Sequence, residues 1–260
     1  MSTMGSKRVM SKVTRLAVTG VAVLLIGLFS TWALADTMTV STHGNLGATY
    51  WVDGIQRSAQ TAEFYSTTAY HNAMWFGYCL DPIQTFANPI TPGDPNLWTG
   101  PEVTPQPLQF DWKEAAWLME NYAPGVTWLD NPGAVNYDSA AVKTVIQAVQ
   151  YAIWEVVMDH STSYTSSAIT DTSSRFYISS GSIANLASTY LVALSEHKTA
   201  NGGQVVLSGA LNFTINDQSD RQDLIMASKA PEPGSMLLLA SGLAATGGWL
   251  RRRRKKGRAS

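Results

Sequence analysis

Apolar residues recur along this chain with two different periods, and the change of period marks out its elements. Ala115, Leu118, Met119 and Tyr122 fall on one helical face, opened by Asp111 with Glu114 three residues on and closed by Pro124. A second helix is predicted over about 138–158, with Val142, Val145, Ile146, Val149, Ile153, Val156 and Val157 as its apolar stripe. A third carries Ile183, Leu186, Ala187, Tyr190, Leu191 and Leu194 and stops at Asn201-Gly202-Gly203. Strands are expected at 38–41, 48–52 and 73–80 before the helices, and at 204–207, 211–215 and 223–227 after them. The first two are parted by the turn-prone His43-Gly44-Asn45-Leu46-Gly47, and the third is stopped by Asp81-Pro82, because proline cannot donate to a ladder. The segments 88–107 and 159–182 read as loops, the latter with an edge strand at 175–179. Strands at both ends around a helical middle predict an α+β fold, with a sheet or barrel lobe built from N- and C-terminal strands.

The two ends read differently from the body. Lys7, Arg8, Lys12 and Arg15 precede an apolar stretch from Leu16 to Trp32 and the small-residue site Ala33-Leu34-Ala35, the layout of a secretory signal peptide over 1–35. At the other end Pro231-Glu232-Pro233 is followed by an uncharged stretch from Met236 to Leu250 and by Arg251, Arg252, Arg253, Arg254, Lys255 and Lys256. As a helix rising about 1.5 Å per residue, that stretch covers about 22 Å, short of the roughly 30 Å hydrocarbon core. The basic cluster would stay cytoplasmic and leave the preceding domain outside. The order of parts over 230–260 resembles the PEP-CTERM sorting signal. The resemblance implies processing by an exosortase-type membrane enzyme in a Gram-negative bacterium, transient anchoring through the C-terminal segment, and delivery to the outer surface or extracellular matrix.

Setting the ends aside changes the charge. The formal net charge of the whole chain is -1, but residues 36–230 hold 7 Lys and Arg against 18 Asp and Glu, a net of −11. So acidic a body is not a nucleic-acid binder, which needs basic patches. Seven of its tryptophans lie between Trp51 and Trp154, and with a single cysteine in the chain no internal disulfide can form. Stability must come from burying aromatic surface, and any exposed tryptophan is available to stack on a sugar ring.

That lone cysteine, Cys79, sits in the apolar run Ala73-Met74-Trp75-Phe76-Gly77-Tyr78-Cys79-Leu80-Asp81. Gln150 follows Ile146 by four and precedes Ile153 by three, which puts an amide on the buried side of a helix. If the two side chains meet, the thiol can attack the carboxamide carbon, expel ammonia and leave an acyl–sulfur bond. The fold would have to hold the groups in contact and exclude water.

With these residues the body, 36–229, resembles the thioester domains of bacterial surface adhesins. Tyr78-Cys79 matches the family's aromatic–cysteine pair, and Gln150, Ala152, Ile153 and Trp154 match its glutamine motif. Asn121, Tyr122 and Pro124 match part of its middle motif, and Asp223-Leu224-Ile225 is similar to its closing strand. Val149 stands where the family has threonine, and the middle motif lacks its glycine. The resemblance implies a Cys79–Gln150 cross-link, supported by Tyr78, Asn121, Tyr122, Pro124, Ala152 and Trp154. It also implies single-use covalent capture of a nucleophile, either a lysine on a surface protein or an amine- or hydroxyl-bearing polysaccharide. No enzymatic turnover, cofactor or metal is expected.

Other chemistries fit less well. A cysteine hydrolase would need a histidine beside Cys79, and none of His43, His71, His160 and His197 stands in a recognisable signature. Glu155 and Asp159, four apart on a helix, are expected on a solvated face. The alternative from another class is a non-covalent carbohydrate-binding or structural module of the extracellular polymer, which predicts reversible binding that survives Cys79→Ala.

Overall fold

In the computed structural model the described residues are 38–67, 69–70, 73–83, 112–159, 161–216 and 223–230. The leader, the 88–107 loop and the C-terminal segment lie outside them, as does Asp111, the expected helix cap. Six strands form one antiparallel sheet: β1 (Val40–Val52), β2 (Ile55–Ser66), β3 (Phe76–Cys79), β4 (Phe176–Ile178), β5 (Leu211–Asn216) and β6 (Leu224–Lys229). The order β4-β1-β2-β3-β6-β5 puts the first and last strands of the described residues in one sheet, as the α+β reading expected. Among the described residues four α-helices intervene: α1 (Trp112–Tyr122), α2 (Pro124–Asp130), α3 (Ala140–Asp159) and α4 (Ser182–Ala200).

Several expectations need correction. The two short N-terminal strands are one strand of 13 residues, and the turn expected at 43–47 is a bulge between His43 and Leu46. Gly44 takes φ +66 there, and a side chain at that position would run into Ile146. The true reversal is Asp53-Gly54, both at positive φ, the two-residue hairpin geometry that matches strand twist. It launches β2, a strand absent from the sequence reading. Pro124 does not merely end α1: it opens α2, where a missing N–H costs nothing. Residues 204–207 form no strand.

The core lies between the sheet and α3. Every residue of α3 from Ile146 to Met158 is buried, an all-round burial that fits a helix enclosed by neighbours on all sides. Tyr50, Trp154, Phe176 and Tyr151 form one aromatic cluster, with centroid separations from 4.8 to 6.2 Å. Helices α1 and α4 are joined by a buried ion pair: Lys198 Nζ lies 2.5 Å from Glu114 Oε1 and donates to Ser161 O, while the Tyr164 hydroxyl donates to Glu114 Oε2. Removing one partner leaves a buried charge uncompensated. Lys198→Met is therefore expected to cost about 3–5 kcal/mol in urea unfolding, and the double change Glu114→Leu with Lys198→Met to recover most of it.

Candidate functional site

Cys79 is the last residue of β3, seated between β2 and β6 and paired to Leu224. The β2–β3 ladder covers only Phe64 with Gly77 and Tyr65 with Phe76, so the backbone of Cys79 extends past it. The Gln150 carboxamide fills that place. Cys79 N–H donates to Gln150 Oε1 at 3.1 Å, and Gln150 Nε2 donates to Cys79 O at 2.7 Å. A side-chain amide thus does for Cys79 what a neighbouring strand's backbone would do, across 71 positions of chain. Gln150 is 1 % exposed and Cys79 5 %.

The amide hydrogen bond to Oε1 draws electron density from the Gln150 carbonyl, as an oxyanion hole does. The thiol is less prepared: burial, and then the negative charge of Asp81, push its pKa well above the ordinary value. It is a buried, neutral S–H. Nearby, the buried Tyr50 hydroxyl donates to Pro82 O at 2.5 Å.

The supporting residues divide into two groups. Trp154 and Ala152, on α3 beside Gln150, are buried at 1 % and 0 % exposure. Tyr78 points to a group that the sequence reading missed. Its hydroxyl donates to Glu63 Oε2 at 2.9 Å, and Glu63 also accepts from Tyr137 OH (2.6 Å) and Gly125 N–H (2.9 Å). Burial outweighs these three hydrogen bonds and raises the Glu63 pKa to about 7. Asn121 and Tyr122 are farther out. Asn121 Nδ2 donates to Trp117 O within α1, and Tyr122 stacks on Tyr190 at 3.9 Å. Pro124 acts through position: by starting α2 it aims the next N–H, that of Gly125, at Glu63. The middle motif therefore reaches Cys79 indirectly, through Glu63 and Tyr78. A lone acid in the run Ala62-Glu63-Phe64 was the available signal.

The histidines have other engagements. His43 lies between the rings of Tyr65 and Tyr137, at 3.8 and 4.0 Å, and His197 Nε2 accepts the Val206 N–H. His71 and His160 fall outside the described residues. The expected solvated face of Glu155 and Asp159 is a correction: Glu155 is 2 % exposed, and Asp159 accepts the N–H groups of Arg175 and Phe176 to hold β4. Burial first, then Asp159 and Asp171, lift the Glu155 pKa to about 9. Among the described residues no cluster of His, Cys, Asp or Glu could hold a metal ion.

Residues 229–255 match the PEP-CTERM protein-sorting motif. The match takes in Pro231, Glu232, Pro233, Arg251 and Arg252, and it starts at the last residue of β6. The protein is thus an exported one, sorted to the surface, with exosortase processing and membrane association at its C-terminal segment. Among the described residues no helix is long and apolar enough to cross a membrane, and the 236–250 stretch lies outside them. No curated protein and no solved structure matches the chain.

Proposed function

We propose that residues 36–229 form an adhesin-like capture domain, delivered to the outer surface or extracellular matrix of a Gram-negative bacterium, with an internal thioester between Cys79 and Gln150. The observation that carries this reading is the pair of hydrogen bonds by which the backbone of Cys79 holds the Gln150 carboxamide. In the bond-forming step the sulfur adds to the carboxamide carbon, the C–N bond breaks, and the thiol proton leaves with the nitrogen as ammonia. Holding the carboxamide on the backbone of Cys79 keeps it beside the thiol-bearing residue, and that proximity would replace the activation that an exposed thiolate would provide, while burial would protect the product from water.

Capture reverses the bookkeeping. A lysine amine on a surface protein, or an amine or hydroxyl of a polysaccharide, attacks the acyl carbon and frees the Cys79 thiol. Each molecule reacts once. Exosortase processing suits this arrangement, because the matched segment begins where β6 ends, and cutting beyond Ala230 leaves all six strands on the domain.

Intact mass tests the reading. With its termini defined by peptide mapping, the purified protein should weigh one ammonia less than its sequence. Methylamine should add covalently and expose one titratable thiol after denaturation. Gln150→Ala should show that thiol without methylamine. A full sequence mass with a free thiol in fresh protein overturns the proposal.

A further inference from the structure

Strand β4 lies at the sheet edge and pairs with β1 alone, Trp51 opposite Tyr177. Their neighbours Tyr50, Val52, Phe176 and Ile178 point into the core, so alternation puts Trp51 and Tyr177 on the outer face. The two rings lie parallel, 5° apart in plane and 5.2 Å between centroids. They form one wall of an open cleft of about 510 Å³ whose other sides carry the hydroxyls of Thr170, Thr172, Ser179 and Ser180. A second hollow of about 260 Å³ shares Ser179 and Ser180 and continues past Thr49 and Ser182.

The polar groups of this face are neutral. Next to the aromatic pair, Thr49 is paired with Ser58 and Trp51 with Gln56, so the face continues as hydroxyls and an amide. Among the described residues, none that lines either hollow is charged. Of the charges nearby, Arg175 Nε and Nη2 hold both carboxylate oxygens of Asp53 at 2.8 and 3.1 Å, Asp171 Oδ1 accepts from Ser173 N–H and Oγ, and Arg57, opposite the inward-facing Tyr50, lines neither hollow.

We propose that this trough binds a neutral polysaccharide, with one sugar ring against the Trp51–Tyr177 wall and its hydroxyls hydrogen-bonded to the serine and threonine side chains. Aromatic faces bury the C–H faces of pyranose rings, and hydroxyl and amide groups exchange hydrogen bonds with sugar hydroxyls in either direction. Acidic polysaccharides are disfavoured, because residues 36–230 carry a net charge of −11 and no cation lines the trough among the described residues. The Trp51–Tyr177 wall lies on the sheet face opposite the core that encloses Cys79, and only the second hollow reaches round the sheet edge to Tyr151, so sugar stacking does not depend on the thioester.

Native affinity electrophoresis of the full chain in mild detergent tests this, with hydroxyethylcellulose, galactomannan and xylan as neutral probes and alginate as the acidic one. The Cys79→Ala variant, which cannot form the cross-link, serves as the parent, so failure here is distinct from failure of covalent capture. Retardation by at least one neutral probe and not by alginate is expected. Trp51→Ala should weaken it about tenfold or more, the scale of one lost aromatic contact with its buried area, while Glu120→Gln, far along the chain on α1, should leave it unchanged. A purely structural role for the stacked pair would lower thermal stability without touching retardation, because no retardation would be there to lose. No binding to any neutral probe, binding to alginate alone, or full binding by a folded Trp51→Ala protein overturns the proposal.

Discussion

In a Cys79→Ala background, adding Gln150→Ala will destabilise the domain by about 4 kcal/mol in urea unfolding. The background matters, because it excludes the proposed cross-link and leaves only the carboxamide's structural role. That role is large: the change strips partners from one buried N–H and one buried C=O of residue 79, each worth about 1–3 kcal/mol, and adds the cost of a cavity in α3. The cross-link itself should add a separate contribution. Tying residues 71 apart restricts the unfolded chain by about 4 kcal/mol on the loop-entropy account developed for disulfides. Wild-type protein should therefore exceed Cys79→Ala by several kcal/mol before methylamine treatment and by much less after it. Equal stability of the untreated pair would count against the covalent bond even if Gln150 proves structurally essential.

Stability will fall as pH rises from about 5 to about 9, the reverse of the usual acid denaturation. Two buried carboxyls cause it. Glu63 and Glu155 start from an ordinary value of 4.5 and are raised to about 7 and about 9 in the fold. A carboxyl with a raised folded pKa binds its proton more tightly in the native state than in the unfolded chain. Its stabilising contribution is complete below 4.5 and is lost as pH climbs toward the folded pKa. Each unit of pH in that window costs about 1.4 kcal/mol per group, so Glu155 alone accounts for about 4 kcal/mol between roughly pH 5 and pH 8. His43 works the other way: burial lowers its pKa from 6.5, and its contribution is lost as pH falls below that value. The net maximum should sit on the mildly acidic side of neutrality. Glu155→Gln keeps the shape without the titration and should flatten the upper half of the profile. It also removes an oxygen that has no hydrogen-bond partner at Glu155 Oε2. A stability profile that rises between pH 6 and pH 8, or one that Glu155→Gln leaves unaltered, would contradict this account.

How far the chain could be read in advance depended on the range of the interaction. Helices α1, α3 and α4 were visible because their apolar rows repeat every three to four residues, a local property. Gln150 stood out because its amide interrupts such a row, and Cys79 because it has no second cysteine to pair with. The missed β2 and misplaced turn show where local reading ends. Asp53-Gly54 is a strong hairpin signal, but His43-Gly44 looks equally turn-like, and only the continuous pairing of β1 with β2 makes the second a bulge. Glu155 was assigned to water on charge alone. It is buried because α3 is covered on every side, which no helical periodicity reveals.

By itself the sequence determined the C-terminal sorting segment, the acidic body, the α+β order of elements and the two residues whose chemistry is complementary. Those depend on composition and on spacings of a few residues. The tertiary structure decided that the Gln150 amide completes the ladder at Cys79, that Glu63 joins Tyr78 to the start of α2, and that Trp51 and Tyr177 share an outer face. Each of these brings together residues more than 60 positions apart: Cys79 with Gln150, Glu63 with Gly125, and Trp51 with Tyr177. Such meetings are set by sheet order and register, through hydrogen bonds that any backbone can make, so the identities of the residues alone do not specify them.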